Sequence, residues 1–135
     1  NALSPIPIAG GEHEYTRWGF KALMDAGACS IYQPDPAWSG GVSEVLKISA
    51  LASAYDTRIS IHNSIPPLSI HMSCSRPSCV IPVAEYLVLV GEASQYFFKK
   101  PCRPVDGYFT MPEEPGIGID FDQNKIVKSY YWNDN

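Results

Sequence analysis

Polar residues stand just after three short apolar runs: Glu12-His13-Glu14, then Asp35, then His62. An imidazole titrates near neutral pH, so His62 could remove a proton as a general base. Asp35 could accept a hydrogen bond from the other ring nitrogen and fix its tautomer. Glu12 offers hard oxygen, the donor type that suits a cation such as Mg²⁺. Glu85 lies within Val83-Ala84-Glu85-Tyr86-Leu87. In that apolar setting a carboxyl is expected to hold its proton and donate it. Each residue also has a plainer reading. His62 could be hydrogen-bonded at a strand end, and Asp35, within Pro34-Asp35-Pro36, could be a turn residue. Glu12 could satisfy a helix N-terminus, and Glu85 could be an exposed strand residue. His71 reads as structural, and Trp18 and Trp38 as packing.

These residues need elements that bring them to one place. A short apolar run, Ile6 to Ala9, leads into Gly10-Gly11. Phe20, Leu23 and Met24 then fall at helical spacing, predicting a helix from about Glu14 to Ala26 that Gly27 closes. Cys29 to Tyr32 reads as a second strand and 34–41 as loop. Ser43 is the expected N-cap of a helix running to about Tyr55, with Val45, Ile48, Ala52 and Tyr55 buried. Arg58 to His62 alternates with period two, as a strand does. Beyond it, Leu68 to Met72 suggests a short helix and Ala84 to Val90 a strand. Prolines at 101, 104, 112 and 115 prevent long regular elements in the tail.

Strand starts near 6, 29, 58 and 84 recur every 25 to 30 residues or so, close to the roughly 31 of a (β/α)₈ barrel unit. The fold class expected is α/β, a partial TIM-type barrel of about three or four βα units with an irregular C-terminal tail. The expected division is 1–95 for the barrel portion and 96–135 for the tail. An open flavodoxin-like sheet has similar units, but no GxGxxG phosphate fingerprint supports it. In parallel α/β folds, sites form at the carboxyl ends of strands. Glu12, Asp35 and His62 would therefore converge on one mouth.

Composition narrows the function further. The chain has 135 residues, 45% hydrophobic and 18% charged, with a net charge of -4. That is no basic footprint for nucleic acid, and the apolar content argues against disorder. No apolar run approaches the roughly 20 residues that span a bilayer. Cys29, Cys74, Cys79 and Cys102 fit neither a CxxC motif nor a zinc knuckle. They read as free thiols acting as small hydrophobes, so a cytoplasmic protein is expected.

Gly10-Gly11-Glu12-His13-Glu14-Tyr15-Thr16-Arg17-Trp18-Gly19-Phe20 is long and unusual. So are Gln33-Pro34-Asp35, Trp38-Ser39-Gly40-Gly41 with Glu44, His62 with Ser64, and Ala84-Glu85-Tyr86-Leu87. Together they resemble the C-terminal half of the L-rhamnonate dehydratase type, in the mandelate racemase group of the enolase superfamily. The resemblance implies a lyase acting on an acid sugar: the proton α to a carboxylate is removed, a β-hydroxyl leaves, and a 2-keto-3-deoxy acid forms. It implies His62 as base, Asp35 as its dyad partner and Glu85 as the acid that hydrogen-bonds the substrate carboxylate. Glu12 matches the third Mg²⁺ ligand, and His13 and Ser64 would lie against the substrate.

The departures also carry expectations. The family's first two metal carboxylates and its capping domain lie upstream of the matching segment, so weak or absent Mg²⁺ binding is expected of this chain alone. Asn63 stands where the family usually has glycine. Half a barrel leaves two sheet edges unpaired and Ile8, Ile31 and Ile61 without partners, so a homo-oligomer is expected. Two other readings stay open: a non-catalytic half-barrel remnant or assembly module, and a different acid-sugar dehydratase or racemase of the same superfamily.

Overall fold

A computed structural model describes residues 3–129. Three two-residue strands, β1 (Ala9–Gly10), β2 (Ile31–Tyr32) and β3 (Arg58–Ile59), form one parallel sheet in the order β1-β2-β3. The register pairs Ala9 with Ile31 and Tyr32 with Ile59. Helix α1 (Thr16–Asp25) links the first two strands and α2 (Val42–Ala54) links the second and third. Helix α3 (Pro66–Cys74) follows β3. This is the βα alternation expected of a barrel segment.

The core lies between the sheet and its helices. Phe20 and Met24 of α1 pack with Val45, Ile48 and Ala52 of α2 over Tyr32, Ile59 and Ile61, with Met72, Val80 and Ile81 completing the cluster. Tyr32 is buried, and its hydroxyl donates to the Leu23 carbonyl at 3.2 Å, which satisfies its polar end. Both linking helices end in the same motif. In α1, Gly27 at φ 57° donates to Met24 O and Ala28 donates to Leu23 O. In α2, Asp56 takes φ 49° without being glycine, and Asp56 and Thr57 donate to Ser53 O and Ala52 O. These bonds satisfy carbonyls that a helix C-terminus otherwise leaves unpaired.

The start of α1 is capped from another element. Thr16 N donates to Ser39 O at 3.0 Å, and Arg17 N donates to Glu44 Oε1 at 2.8 Å. The Arg17 side chain grips the same carboxylate through Nε at 2.8 Å and Nη2 at 3.0 Å. Arg17, through its side chain and its backbone N–H, holds the Glu44 carboxyl below its ordinary range. The clasp is therefore complete above that ordinary range and is lost as pH falls through the lowered value. It ties the loop after β1 to the loop after β2.

Several expectations are corrected. Gly41, not Ser43, is the N-cap of α2, and Tyr55 is exposed rather than buried. Ala84 to Val90 forms no strand. One bond from Ile59 N to Val80 O at 2.9 Å meets the outer edge of β3 instead, and Val88, Leu89 and Val90 face outward. A short apolar run cannot by itself distinguish a strand from such a turn. Trp18 is 69% exposed and Trp38 is 46% exposed, so neither packs in the core. Cys74 and Cys79 are exposed free thiols rather than small buried hydrophobes, while Cys29 and Cys102 are half-buried. Ile61 is buried, unlike Ile8, because Ile61 joins the cluster beneath α3.

Beyond α3 the described residues form a four-residue helix, α4 (Gly91–Ser94), and then, in the tail, a short 3₁₀ turn (Gln123–Lys125) and two isolated bridges, Phe98 with Phe121 and Val105 with Tyr108. Gln95 is buried and donates through Nε2 to Gly91 O and Cys102 O, while its Oε1 accepts from Cys102 N. One side chain thus organises the chain on both sides of position 95. The end of the tail, 130–135, lies outside the described residues.

Phe20 is fully buried at the centre of the α1–α2 contact. Phe20→Ala is expected to cost about 3–5 kcal/mol, measured by chemical denaturation. A loss under about 1 kcal/mol would show that the α1–α2 layer is not the core.

Candidate active site

Backbone pairing continues past the named strands and carries the polar residues with it. Gln33 N donates to Gly10 O at 2.9 Å, Ser60 N to Tyr32 O at 3.0 Å and His62 N to Pro34 O at 3.1 Å. These bonds place the segments that follow β1, β2 and β3 side by side at one end of the sheet. Glu12, Asp35 and His62 stand there, as the strand spacing implies.

His62 Nδ1 lies 2.7 Å from Asp35 Oδ2. The His62 side chain is 18% exposed and that of Asp35 is 9% exposed. Asp35 Oδ1 accepts from the Ala37 backbone N–H at 2.7 Å and from the Ser64 hydroxyl at 2.8 Å. The buried carboxylate therefore has donors on both oxygens, which offsets its lost hydration. Both readings of Asp35 hold at once: it shapes the Pro34-Asp35-Pro36 turn and it meets the histidine.

The other face of the imidazole meets Glu12, with Nε2 3.3 Å from Glu12 Oε2. Glu12 is itself 45% exposed, so this side of the ring is the open one. His13 is at the rim, with a side chain 78% exposed and Nε2 3.9 Å from Glu12. Its carbonyl accepts from Trp38 Nε1 at 3.0 Å, and its ring lies 5.3 Å from that of Trp38. Trp38 is thus part of the rim rather than a packing residue, a placement that its residue type alone did not disclose.

Glu85 also reaches the site, but not in the apolar setting its sequence neighbours suggest. Oε1 accepts from Gln33 Nε2 at 2.9 Å and Oε2 accepts from the Asn63 backbone N–H at 3.0 Å. The Asn63 side-chain Nδ2 donates to the Glu85 backbone carbonyl. Gln33 and Asn63 were visible in the sequence as motif neighbours of Asp35 and His62, yet nothing in their spacing to position 85 showed this contact. His71, on α3, stays apart from the group.

Among the described residues, no three His, Cys, Asp or Glu side chains are gathered so that they could hold a metal ion. Glu12 offers a single carboxylate, and Asp35 is already committed to His62, Ser64 and Ala37. Octahedral Mg²⁺ needs more oxygen than that, so these residues do not by themselves fit the ion. A separate cavity of about 670 Å³, lined by Ile70, Arg76, Ile81, Tyr86 and Phe109 among others, lies beside the 81–86 segment. Glu12, Asp35, His62 and Glu85 do not line it.

What the dyad can do follows from its distances. In the neutral ring the single proton belongs on Nδ1, where Asp35 accepts at 2.7 Å, rather than on Nε2, where the carboxylate is 3.3 Å away. That leaves the Nε2 lone pair at the open face, ready to take a proton. Nitrogen NMR of the His62 ring is expected to show a protonated Nδ1 and an unprotonated Nε2 in the neutral form. The reverse pattern would remove Nε2 as the base.

Comparison with known proteins identifies the family. Residues 1–125 match the family model described as enolase C-terminal domain-like. The L-rhamnonate dehydratase of Saccharopolyspora erythraea is 34% identical over 97% of this chain and 34% of its own length. The chain thus spans about a third of the length of that relative. A crystal structure of an enolase superfamily member from Salmonella Typhimurium is 31% identical, with a TM-score of 0.77 over 91% of this chain and 32% of that one. A mandelate racemase/muconate lactonizing enzyme from a marine actinobacterium, solved in complex with magnesium, is 27% identical. Its TM-score is 0.75 over 88% of this chain and 33% of that one. The polar residues at one end of the parallel sheet, the βα order and the matched span agree: the chain belongs to the enolase C-terminal domain-like family.

Proposed function

We propose that this chain is the C-terminal barrel segment of an acid-sugar dehydratase of the L-rhamnonate type. The observation that carries the reading is the His62–Asp35 pair at 2.7 Å, on adjacent segments at the carboxyl ends of β2 and β3. The relative named L-rhamnonate dehydratase supports the choice of substrate class. In this reading residues 1–95 belong to the barrel portion and 96–135 to a tail that packs on the barrel or on the capping region of the complete protein.

His62 Nε2 takes the proton α to the substrate carboxylate. Asp35 holds Nδ1–H in place and so keeps Nε2 available. Ser64 and the Ala37 N–H keep Asp35 itself in position. The ring that has taken the proton stays hydrogen-bonded to Asp35 through Nδ1 at 2.7 Å. Glu85 hydrogen-bonds the substrate carboxylate, and His13 lines the rim of the pocket. The proton that Nε2 has taken then passes to the β-hydroxyl as its C–O bond breaks, so that it leaves as water, and the resulting enol tautomerises to the 2-keto-3-deoxy acid.

Mg²⁺ belongs to the complete protein in this reading. Glu12 supplies one oxygen ligand, and the other ligands come from outside this chain. The described residues alone do not make the ion's site, so no step above depends on it.

In the complete protein, His62→Asn is expected to lower formation of 2-keto-3-deoxy acid from L-rhamnonate by about 10²-fold or more. Binding of the acid sugar, followed by calorimetry, should persist. Turnover retained by the variant would remove His62 from the role of base. A preference for gluconate-, fuconate- or mandelate-type acids in the unsubstituted protein would keep the chemistry but overturn the rhamnonate assignment.

A further inference from the structure

We infer that Asn63 is a positioning residue for Glu85, and that with Gln33 it fixes where the Glu85 carboxyl stands; this rests on the dehydratase reading. Glu85 stands in a segment, 81–87, that forms neither helix nor strand. Val83 and Ala84 before it are exposed, and of the residues after it Tyr86 packs against Phe109, so packing anchors the segment on one side of Glu85 only. What holds it is a set of hydrogen bonds. Gln33 Nε2 reaches Oε1 at 2.9 Å, the Asn63 backbone N–H reaches Oε2 at 3.0 Å, and Asn63 Nδ2 reaches the Glu85 backbone carbonyl. The carbonyl partner fixes which end of the Asn63 amide faces Glu85.

The donors come from telling positions. Gln33 is two residues before Asp35, and Asn63 is the residue after His62. Each member of the dyad therefore has a close chain neighbour that grips the same third residue. A displacement of Glu85 is resisted from both strands that carry the dyad.

Asn63 is also an expensive choice for its location. It is 1% exposed, and its Oδ1 is buried with no hydrogen-bond partner. A buried acceptor left unpaired is unfavourable, and glycine or alanine at position 63 would avoid it. Either would keep the backbone N–H bond to Oε2. Only the side chain supplies the second bond, the one to the backbone of residue 85. The unpaired acceptor is thus offset by what Nδ2 does, which is to hold Glu85 through its main chain while Gln33 and the Asn63 N–H orient its carboxyl.

The test is made in the complete protein with Asn63→Ala and, separately, Gln33→Leu. Three quantities are measured: kcat and KM for L-rhamnonate, the thermal midpoint, and amide hydrogen exchange across 83–87 by mass spectrometry. The expected result for each variant is a kcat lower by about tenfold to a hundredfold with KM changed less than about threefold. Exchange in 83–87 should quicken while the thermal midpoint stays close to that of the unsubstituted protein. If Asn63→Ala does not fold, Asn63→Ser, which also loses the Nδ2 donor, replaces it, and Gln33→Leu tests the hold on Oε1. Unchanged kcat in the folded variants overturns the inference, whatever exchange shows. Failure of the underlying reading is distinguishable: the unsubstituted protein would then not turn over acid sugars at all. In that case exchange alone decides whether Asn63 holds Glu85, and an unchanged rate in both variants overturns it.

Discussion

The His62 amide donates to the Pro34 carbonyl at 3.1 Å, one step beyond the last named pairing of β2 with β3. The site depends on this small extension of the parallel ladder. It sets His62 against the segment that carries Asp35, so that the side chains meet at 2.7 Å. A register shift of one residue would turn His62 to the opposite face of its strand. The matching bond from Gln33 N to Gly10 O does the same for the segment that carries Glu12. Three strands of two residues each are little sheet, yet parallel pairing suffices to gather residues that are far apart in sequence.

Keeping that alignment falls to the helices and their ends. Glu44, at the start of α2, caps the first turn of α1 and holds Arg17 in the same contact. The loops that bear Glu12 and Asp35 are thereby fastened to one another outside the site. Below them, Phe20 and Ile48 bury the helix pair against Tyr32 and Ile59. The dyad itself is polar and largely enclosed, and it is tolerable because Asp35 has a donor for each oxygen. Glu85 is held differently. Its carboxyl is held by hydrogen bonds from the Gln33 side chain and the Asn63 backbone.

The sequence made the helices legible because their signals are local. Phe20, Leu23 and Met24 lie on one face of α1, and Gly27 permits the left-handed residue that ends it. The strand-end positions of Asp35 and His62 were legible too, since period and turn residues mark where each strand stops. Other features were not, because they arise only across space. Nothing local shows that Glu44 will cap a helix 27 residues earlier, or that Gln33 will reach a carboxyl 52 residues later. The run from Ala84 to Val90 misled for a related reason. Its apolar composition suits a strand, but the edge of β3 is met at Val80, and Glu85 is drawn toward Gln33 and Asn63. Trp18 and Trp38 misled through size alone: Trp38 lies against His13 at the rim, and Trp18 is exposed on α1 beside Arg17.

The central claim is that His62, steadied by Asp35, removes the α-proton of an acid sugar. A crystal structure of the complete protein with L-rhamnonate bound tests it most directly. The account predicts the α-carbon about 3–3.5 Å from His62 Nε2, with the substrate carboxylate on the side of Glu85 and Asp35 still on Nδ1. An acid sugar seated elsewhere, for example in the cavity beside Tyr86 and Phe109, or with its α-carbon turned away from Nε2, would contradict it.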